Sequence, residues 1–359
     1  MRLLMTADAV GGVWSYARDL ARGLAARGVE MTLAVLGPAP ETVEAIPGVD
    51  VQITGLPLDW LADTPDEVTR AGEAIAALAA RIGADVVHLN SPALAVARFA
   101  QPVLGACHSC LATWWEAVRG GAPPADFTWR TDLLARGYAR CDALVAPTRA
   151  FAHATVRSYA LPRAPHVVHN GRRTWPRGDR AGNFAFTAGR LWDEGKDLTT
   201  LDRAAARLDV PVLAAGPTRG PNGAEVTLPN LRLLGNLDPP TLRGWLSRGP
   251  VFVSAARYEP FGLAVLEAAQ AGCALVLSEI ETFRELWDGA AIFVPPGDDD
   301  GFARAVAALL RDRERRVQLR VAALERARRY TVEAMVEGVH AIHRDLLAGA
   351  GIGRGRAAA

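Results

Sequence analysis

The chain is 359 residues long, half hydrophobic and 22% charged, with a formal net charge of +1. That balance sets up no global field for nucleic acid, four cysteines are too few for a disulfide scaffold at this length, and no run of about 20 uninterrupted apolar residues is present to span a membrane. The length predicts two domains, each with its own core.

The N-terminus runs directly into an apolar strand pattern and lacks the apolar stretch and cleavage site of a signal peptide, so the cytoplasm is the expected compartment. Strands are predicted at Arg2–Thr6, Glu30–Leu36, Val49–Thr54, Val86–Leu89, Pro102–Cys107, Ala143–Ala146 and His166–His169. A second series follows at Phe184–Ala188, Val210–Ala214, Leu231–Leu234, Val251–Ser254, Ala274–Leu277 and Ala290–Val294. Helical patterns fall between them, at Val13–Arg27, Asp66–Ile82, Thr128–Arg140, Arg149–Tyr159, Leu198–Leu208, Pro240–Ser247, Leu263–Ala271 and Gly301–Leu310. Alternation of short apolar strands with helices predicts α/β domains with parallel sheets covered on both faces. A polar Gly/Pro/Arg stretch, Asn170–Gly182, separates the series and reads as a linker. The expected domains are therefore 1–172 and 183–330, two Rossmann-like halves with a cleft between them, and a small-residue tail, 349–359, is expected to be flexible. Ligands of such sheets bind at the carboxyl ends of the strands.

The loops at those ends can be read in turn. Gly11 and Gly12 follow the first strand and allow backbone amides to approach a phosphate or sugar, although a plain turn explains them equally well. The segment does not match G-x-G-x-x-G, which disfavours a dinucleotide dehydrogenase. His108 ends the strand Pro102–Cys107. Its neighbours Cys107 and Cys110 suggest zinc or redox chemistry, but no second cysteine pair completes a tetrahedral site. That disfavours metal or redox chemistry there, and the other two cysteines, Cys141 and Cys273, read as small buried hydrophobes.

The second series is richer. Lys196 is the only lysine; every other basic residue is arginine. It shares a loop with Arg190, and the two cations can neutralise a diphosphate, a planar fork beside a point charge. An exposed loop lysine is the plain alternative. Gly235, Asn236, Leu237 and Asp238 offer backbone groups after another strand. The most informative stretch is Glu259-Pro-Phe-Gly-Leu-Ala-Val-Leu-Glu267. Its glycine permits a tight turn, and the unpaired N–H groups and dipole of the helix that follows favour an anion. Two carboxylates flank that anion cradle, an arrangement suited to the phosphates and hydroxyls of a nucleotide-sugar.

With these residues in place, the chain resembles the GT-B glycosyltransferases of the large retaining family 4. The resemblance runs from Gly11–Gly28 through Asp85–Asn90, His108, Ala146–Thr148, His169–Gly171 and Gly189–Lys196 to Glu259–Glu267, Ser278–Glu285, Val294–Asp298 and Tyr330–Met335. It implies a hexosyl transfer from a UDP- or GDP-type sugar to a hydroxyl acceptor, with retention and without a metal or other cofactor. It implies that Arg190 and Lys196 hold the diphosphate, that Glu267 accepts the ribose hydroxyls, and that Glu259 contacts the sugar near the reacting carbon. Backbone amides of Phe261, Gly262 and Leu263 would touch sugar and phosphate, Gly235, Leu237 and Asp238 would flank the base, Gly12 with Gly11 would approach the phosphate, and His108 would face the anomeric centre. A last helix, about Thr331–Leu347, would cross back to the first domain. One departure is Asn90, where many relatives carry a second histidine, and the role of that strand end stays open.

The acceptor is less legible. Trp14, Trp114, Trp115 and Trp129 can stack on sugars or apolar rings, while core packing explains them about as well. Arginines on Thr128–Arg140 and Arg311–Arg329 suit either a solvated face or weak contact with anionic lipid. A monomer or a homodimer is expected. Two other readings share the donor features: a GT-B nucleotide-sugar epimerase, and a non-catalytic nucleotide-sugar-binding protein.

Overall fold

The computed structural model describes residues 1–9, 11–38, 45–174 and 182–357, with the side chains of Asp126 and of residues from 350 onward excepted. Much of the stretch read as a linker, 175–181, lies outside them. Two compact units result. Unit 1 comprises Met1–Glu116, Gly120–Gly171 and Val332–Ala359; unit 2 comprises Ala117–Arg119 and Arg172–Thr331.

In unit 1 seven strands form one parallel sheet: β1 (Arg2–Asp8), β2 (Glu30–Leu36), β3 (Val49–Ile53), β4 (Val86–Leu89), β5 (Val103–Ala106), β6 (Ala143–Ala146) and β7 (His166–Val167). Their order is β3-β2-β1-β4-β5-β6-β7. The central strands β1, β4 and β5 are short buried runs, as expected where both faces are covered, whereas the edge strands β3 and β7 have no buried residue. Helix α1 (Gly12–Ala25) turns Tyr16, Ala17, Leu20, Ala21 and Leu24 inward at helical spacing. The unit also holds α2 (Pro65–Arg81), α3 (Leu111–Val118), α4 (Ala125–Arg140) and α5 (Arg149–Tyr159).

Unit 2 carries β8 (Ala185–Ala188), β9 (Val212–Ala215), β10 (Arg232–Gly235), β11 (Val251–Ser254), β12 (Ala274–Ser278) and β13 (Ala291–Val294) in the order β10-β9-β8-β11-β12-β13, again parallel. Its helices are α6 (Leu198–Ala205), α7 (Pro239–Leu246), α8 (Leu263–Gln270), α9 (Glu281–Trp287), α10 (Asp299–Arg311) and α11 (Arg313–Ala327). Alternate residues of one strand serve opposite cores: Phe186 and Phe252 join a cluster with Trp287 and Phe283, while Ala185, Val251 and Val253 join another with Phe302. That is the period-two signature of a doubly covered strand.

The last helix, α12 (Val332–Ala357), belongs to unit 1 and packs on α1. Met335, Val336, Val339 and Ile342 enter the unit 1 core. The approach is close: a Cβ on Gly23 of α1 would fall 2.4 Å from Val336 Cγ2. This is the architecture expected from the sequence, two parallel-sheet Rossmann-like units with a C-terminal helix returned to the first.

Every predicted strand forms, with ends shifted by two residues at most. Three helices do not appear among the predicted elements. At seven residues α9 is too short to establish a 3.6-residue period. In α3 the Leu-Ala-Thr-Trp-Trp run has no polar face to contrast with an apolar one. Arginines dominate α11, whose inward stripe is only Leu319, Ala323 and Ala327, with a buried Arg316 donating to the carbonyls of Gly182 and Gly249. The backbone of Gly349–Ala357, read as a flexible tail, continues α12. Once a helix is nucleated, each further residue adds a hydrogen bond.

Candidate active site

In each sheet the strand order reverses at one point: between β1 and β4 in unit 1, and between β8 and β11 in unit 2. Such switch points open a crevice at the strands' carboxyl ends. Lys196 and Glu259 follow the two strands of the unit 2 switch point, and Gly11 and Asn90 follow those of unit 1.

In unit 2 the loop after β8 is built around Asp193. Its carboxylate accepts the Gly195 N–H at 2.9 Å and an Arg190 guanidinium N–H at 2.9 Å. Burial pushes that carboxyl up, but Lys196, Arg190 and these bonds outweigh it and hold it below the ordinary carboxylate range. Asp197 follows in the left-handed region, with φ 47, and caps α6. It also accepts from Thr199, Thr200 and, at 2.8 Å, Arg257 Nε. Asn and Asp tolerate that conformation because a short polar chain can bond locally.

The loop after β11 is clamped onto this one. The Gly195 carbonyl accepts N–H bonds from Arg257 at 2.9 Å and Tyr258 at 3.0 Å. Lys196 Nζ meets Glu259 Oε2 at 2.6 Å, both side chains about one-fifth exposed. Thr282 Oγ1 donates to the Glu259 carbonyl at 2.6 Å. The lone lysine and the first glutamate of the Glu-Pro-Phe-Gly run are thus direct partners.

Gly262 then turns the chain into α8 with φ 90 and ψ 65, and offers no side chain to cap the first N–H groups of that helix. An uncapped helix start beside Lys196 and Glu259 is suited to an anion. Phe261 is buried, its ring edge-on to Tyr330 at 5.8 Å. One turn into α8 lies Glu267, 8% exposed, its Oε1 accepting from Arg172 Nε at 2.7 Å.

The remaining residues expected at the donor end β10 or follow it. Gly216 N–H donates to the Gly235 carbonyl at 2.8 Å, tying β9 to β10. Gly216 has φ +138, and a Cβ there would lie 1.8 Å from the Gly189 carbonyl oxygen, so the two loops meet backbone to backbone. The Leu237 side chain packs on the core and the Asp238 carboxylate caps α7 through Thr241 N–H at 2.7 Å. Both side chains therefore have structural work within unit 2.

Unit 1 presents a different surface. Gly11 precedes α1 and Gly12 begins it. His108, just beyond β5, lies 2.6 Å from Asn90 Oδ1 through Nε2, and Asn90 Nδ2 donates to the Thr6 carbonyl at 2.6 Å. A carbonyl only accepts, so the amide is oriented with Oδ1 toward the histidine, and Nε2 carries the proton. Tyr16 of α1 packs edge-on to the His108 ring at 4.6 Å. Burial pushes His108 down to about 4, so it is neutral near pH 7. Asn90, whose role the sequence left open, fixes the tautomer of His108.

The four tryptophans do not share an element. Trp114 and Trp115 are neighbours on α3, with ring centroids 6.3 Å apart, and Trp115 packs on Phe127 at 5.3 Å. Trp14 packs against the unit 1 core with Arg18 over its ring, and Trp129 on α4 lies beneath Arg130. Sequence reading missed Arg172, Asp197, Arg257 and Tyr16. A cap signal marked only one of them, the Asp of Gly-Lys-Asp-Leu before a helical pattern.

The chain is similar to known proteins in sequence and in fold. Residues 10–174 match Glycosyltransferase Family 4, and residues 183–312 match Glycosyl transferases group 1. The chain is 31% identical to the phosphatidyl-myo-inositol mannosyltransferase of Mycolicibacterium smegmatis over 48% of its own length, and spans about half, 47%, of that protein. It is 28% identical to D-inositol 3-phosphate glycosyltransferase 1 of Catenulispora acidiphila over 96% of this chain and 93% of that one. Among solved structures, sucrose-phosphate synthase from Thermosynechococcus elongatus superposes with a TM-score of 0.83 at 19% identity, covering 97% of this chain and 100% of that one. HepE of Anabaena in complex with UDP-glucose gives 0.74 at 16%, covering 96% and 100%.

Proposed function

The chain belongs to glycosyltransferase family 4, has the GT-B fold and transfers a sugar from a nucleotide-sugar, and from that premise we propose a metal-independent hexosyl transfer, with retention, from a UDP- or GDP-type donor to a hydroxyl of a glycan, lipid or small molecule. One observation carries the reading: Lys196, Arg190 and Glu259 stand together with the uncapped start of α8, at the carboxyl ends of β8 and β11.

Those groups suit a donor's diphosphate. Charge develops on the leaving phosphate as the anomeric C–O bond breaks, and fixed cations with helix N–H groups stabilise it without reorganising. Both cations are held against carboxylates, Lys196 on Glu259 and Arg190 on Asp193, which keeps them in place before the donor arrives. The acceptor oxygen forms its bond to the anomeric carbon on the face the diphosphate leaves. Its proton passes to the departing phosphate oxygen, so the step needs no protein base. Glu259 is assigned to the sugar hydroxyls near that carbon, and Glu267 to the ribose hydroxyls. Phe261, Gly262, Leu263, Gly235, Leu237 and Asp238 are assigned to the donor through their backbones. Gly11, Gly12 and a neutral His108 are assigned from unit 1 to the phosphate and the anomeric centre. Trp14, Trp114, Trp115 and Trp129 are assigned to the acceptor; all four are partly buried, and Trp114 and Trp115 are adjacent on one helix.

Thermal-shift measurements against UDP, GDP, ADP and their sugars identify the donor, because a ligand of the native state raises apparent stability. Product analysis with that donor, in EDTA and with candidate acceptors, then tests the reaction. A glycoside of the donor's own anomeric configuration is expected. An altered free nucleotide-sugar formed without acceptor would mark an epimerase, and binding without hydrolysis or transfer would mark a binding protein.

A further inference from the structure

We infer that Arg172 is the positioning residue for Glu267, and that it thereby sets the preference for ribonucleotide over ribose-deoxygenated donors. The inference rests on the assignment of Glu267 to the ribose made above.

Glu267 is nearly buried, and a carboxylate in that setting requires a fixed partner. The partner comes from 95 residues away: Arg172 Nε donates to Oε1 at 2.7 Å, with the arginine side chain 17% exposed. Arg172 is itself pinned. Its N–H donates to the Tyr330 carbonyl at 3.3 Å, it bridges in parallel to Thr331, and its carbonyl accepts from Gln270 Nε2 at 3.1 Å. Gln270 stands three residues after Glu267 on α8, hence on the same helical face. One face of α8 therefore grips Arg172 twice, by its guanidinium and by its carbonyl.

Tyr330, which holds the N–H, packs edge-on to Phe261 at 5.8 Å and to Trp287 at 5.9 Å. The arginine is thus tied to the loop that opens α8 as well as to the helix. The bond from Nε anchors one oxygen of the carboxylate, and the positive charge of the guanidinium favours its ionised form. A carboxylate has about four lone-pair sites, so a group that accepts from an arginine can accept from a vicinal diol as well. A purely structural ion pair would stabilise the fold without sensing the ribose.

The test is the ratio of dissociation constants for UDP, or GDP if that nucleotide binds, and its 2′,3′-dideoxy analogue, measured by calorimetry on the full chain. The wild type is expected to prefer the ribonucleotide by about tenfold or more, the scale of a lost charge-assisted hydrogen bond. Glu267→Gln should largely erase that preference. Arg172→Met, which keeps the apolar stem, should reduce it to about threefold or less. Arg172→Lys should fall between, and its ratio decides the matter if Arg172→Met does not fold. A wild-type ratio in the folded Arg172 variant, alongside a collapsed ratio in Glu267→Gln, overturns the positioning role and leaves the ribose assignment standing. A wild-type ratio in Glu267→Gln overturns the ribose assignment, and the inference with it.

Discussion

All seven histidines of the chain lie in unit 1, and its only lysine lies in unit 2. The two units share a parallel sheet and a switch point, yet the strand ends at those points are chemically unlike. In unit 1 Thr6, Asn90 and His108 form a neutral hydrogen-bonded chain. In unit 2 the same place is occupied by opposite charges, Lys196 with Glu259 and Arg172 with Glu267. The fold thus determines where a ligand sits, and the loops determine which part of it is met.

The sharpest way to break the contrast is to remove the lysine. Lys196→Ala should lower turnover by about 10² to 10³, the usual effect of deleting one group that stabilises a developing oxyanion. Acceptor KM should change far less. Lys196→Arg should not restore full activity, because a planar fork does not reproduce a point charge set against Glu259. Steady-state kinetics with the identified donor check both, and unaltered turnover in the alanine variant would remove the charged half of the comparison.

Next in size is the backbone contact that shapes the unit 2 site. In Gly216→Ala the new Cβ would collide with the Gly189 carbonyl at 1.8 Å, in a conformation that L residues rarely adopt. A loss of about 3 kcal/mol is expected, the range of overpacked or strained positions. Urea denaturation followed by amide exchange should place the loss in unit 2 with unit 1 unaffected. A smaller effect should follow Asn90→Ala, which frees the His108 ring from its fixed tautomer. Turnover is expected to fall about tenfold, one hydrogen bond's worth. Wild-type turnover in that variant would leave the neutral chain of unit 1 without a catalytic part.

These features were unequally legible in the sequence. Central strands were read from short apolar runs, since both faces are buried there, and the more exposed edge strands β3, β7 and β10 were read from the same pattern in a weaker form. Lys196 and Glu259 were visible by rarity and by motif, but their pairing was not, because it joins loops 63 residues apart. Arg172 is one of 39 arginines among 40 basic residues, so its type carried no signal. Only the fold, by bringing the start of unit 2 beside α8, distinguishes it. Asn90 was noticed as a departure, and its function emerged only when the Thr6 carbonyl fixed the amide's orientation.

The smallest expected effect tests the comparison most broadly, since it requires no mutation. His88 and His343 are fully buried, with Nδ1 of the first 3.2 Å from Nε2 of the second, joining β4 to α12. Burial, then the neighbouring His343 and His108, hold His88 well below its ordinary value of 6.5. Burial, then His340, pushes His343 down to about 3, and burial pushes His108 down to about 4. Tyr16 faces both His88 and His108 and stays protonated, its pKa raised by burial. Each of the three histidines is therefore neutral in the folded state while the unfolded chain binds its proton near pH 6.5. Because the unfolded state binds more protons, stability must rise with pH across this window and be lost as pH falls below 6.5. Between pH 7 and 6 the loss is about 0.7 kcal/mol for each histidine. The shifted carboxylate of the unit 2 site behaves otherwise: Asp193 lies below 3.8, so its contribution persists until the pH falls through that lower value. Amide exchange corrected for intrinsic rate should show unit 1 losing protection between pH 7 and 6 while unit 2 holds. Equal loss in β8 and β11 of unit 2 would mean that the histidines do not set the acid response, and that the two units differ in their loops alone.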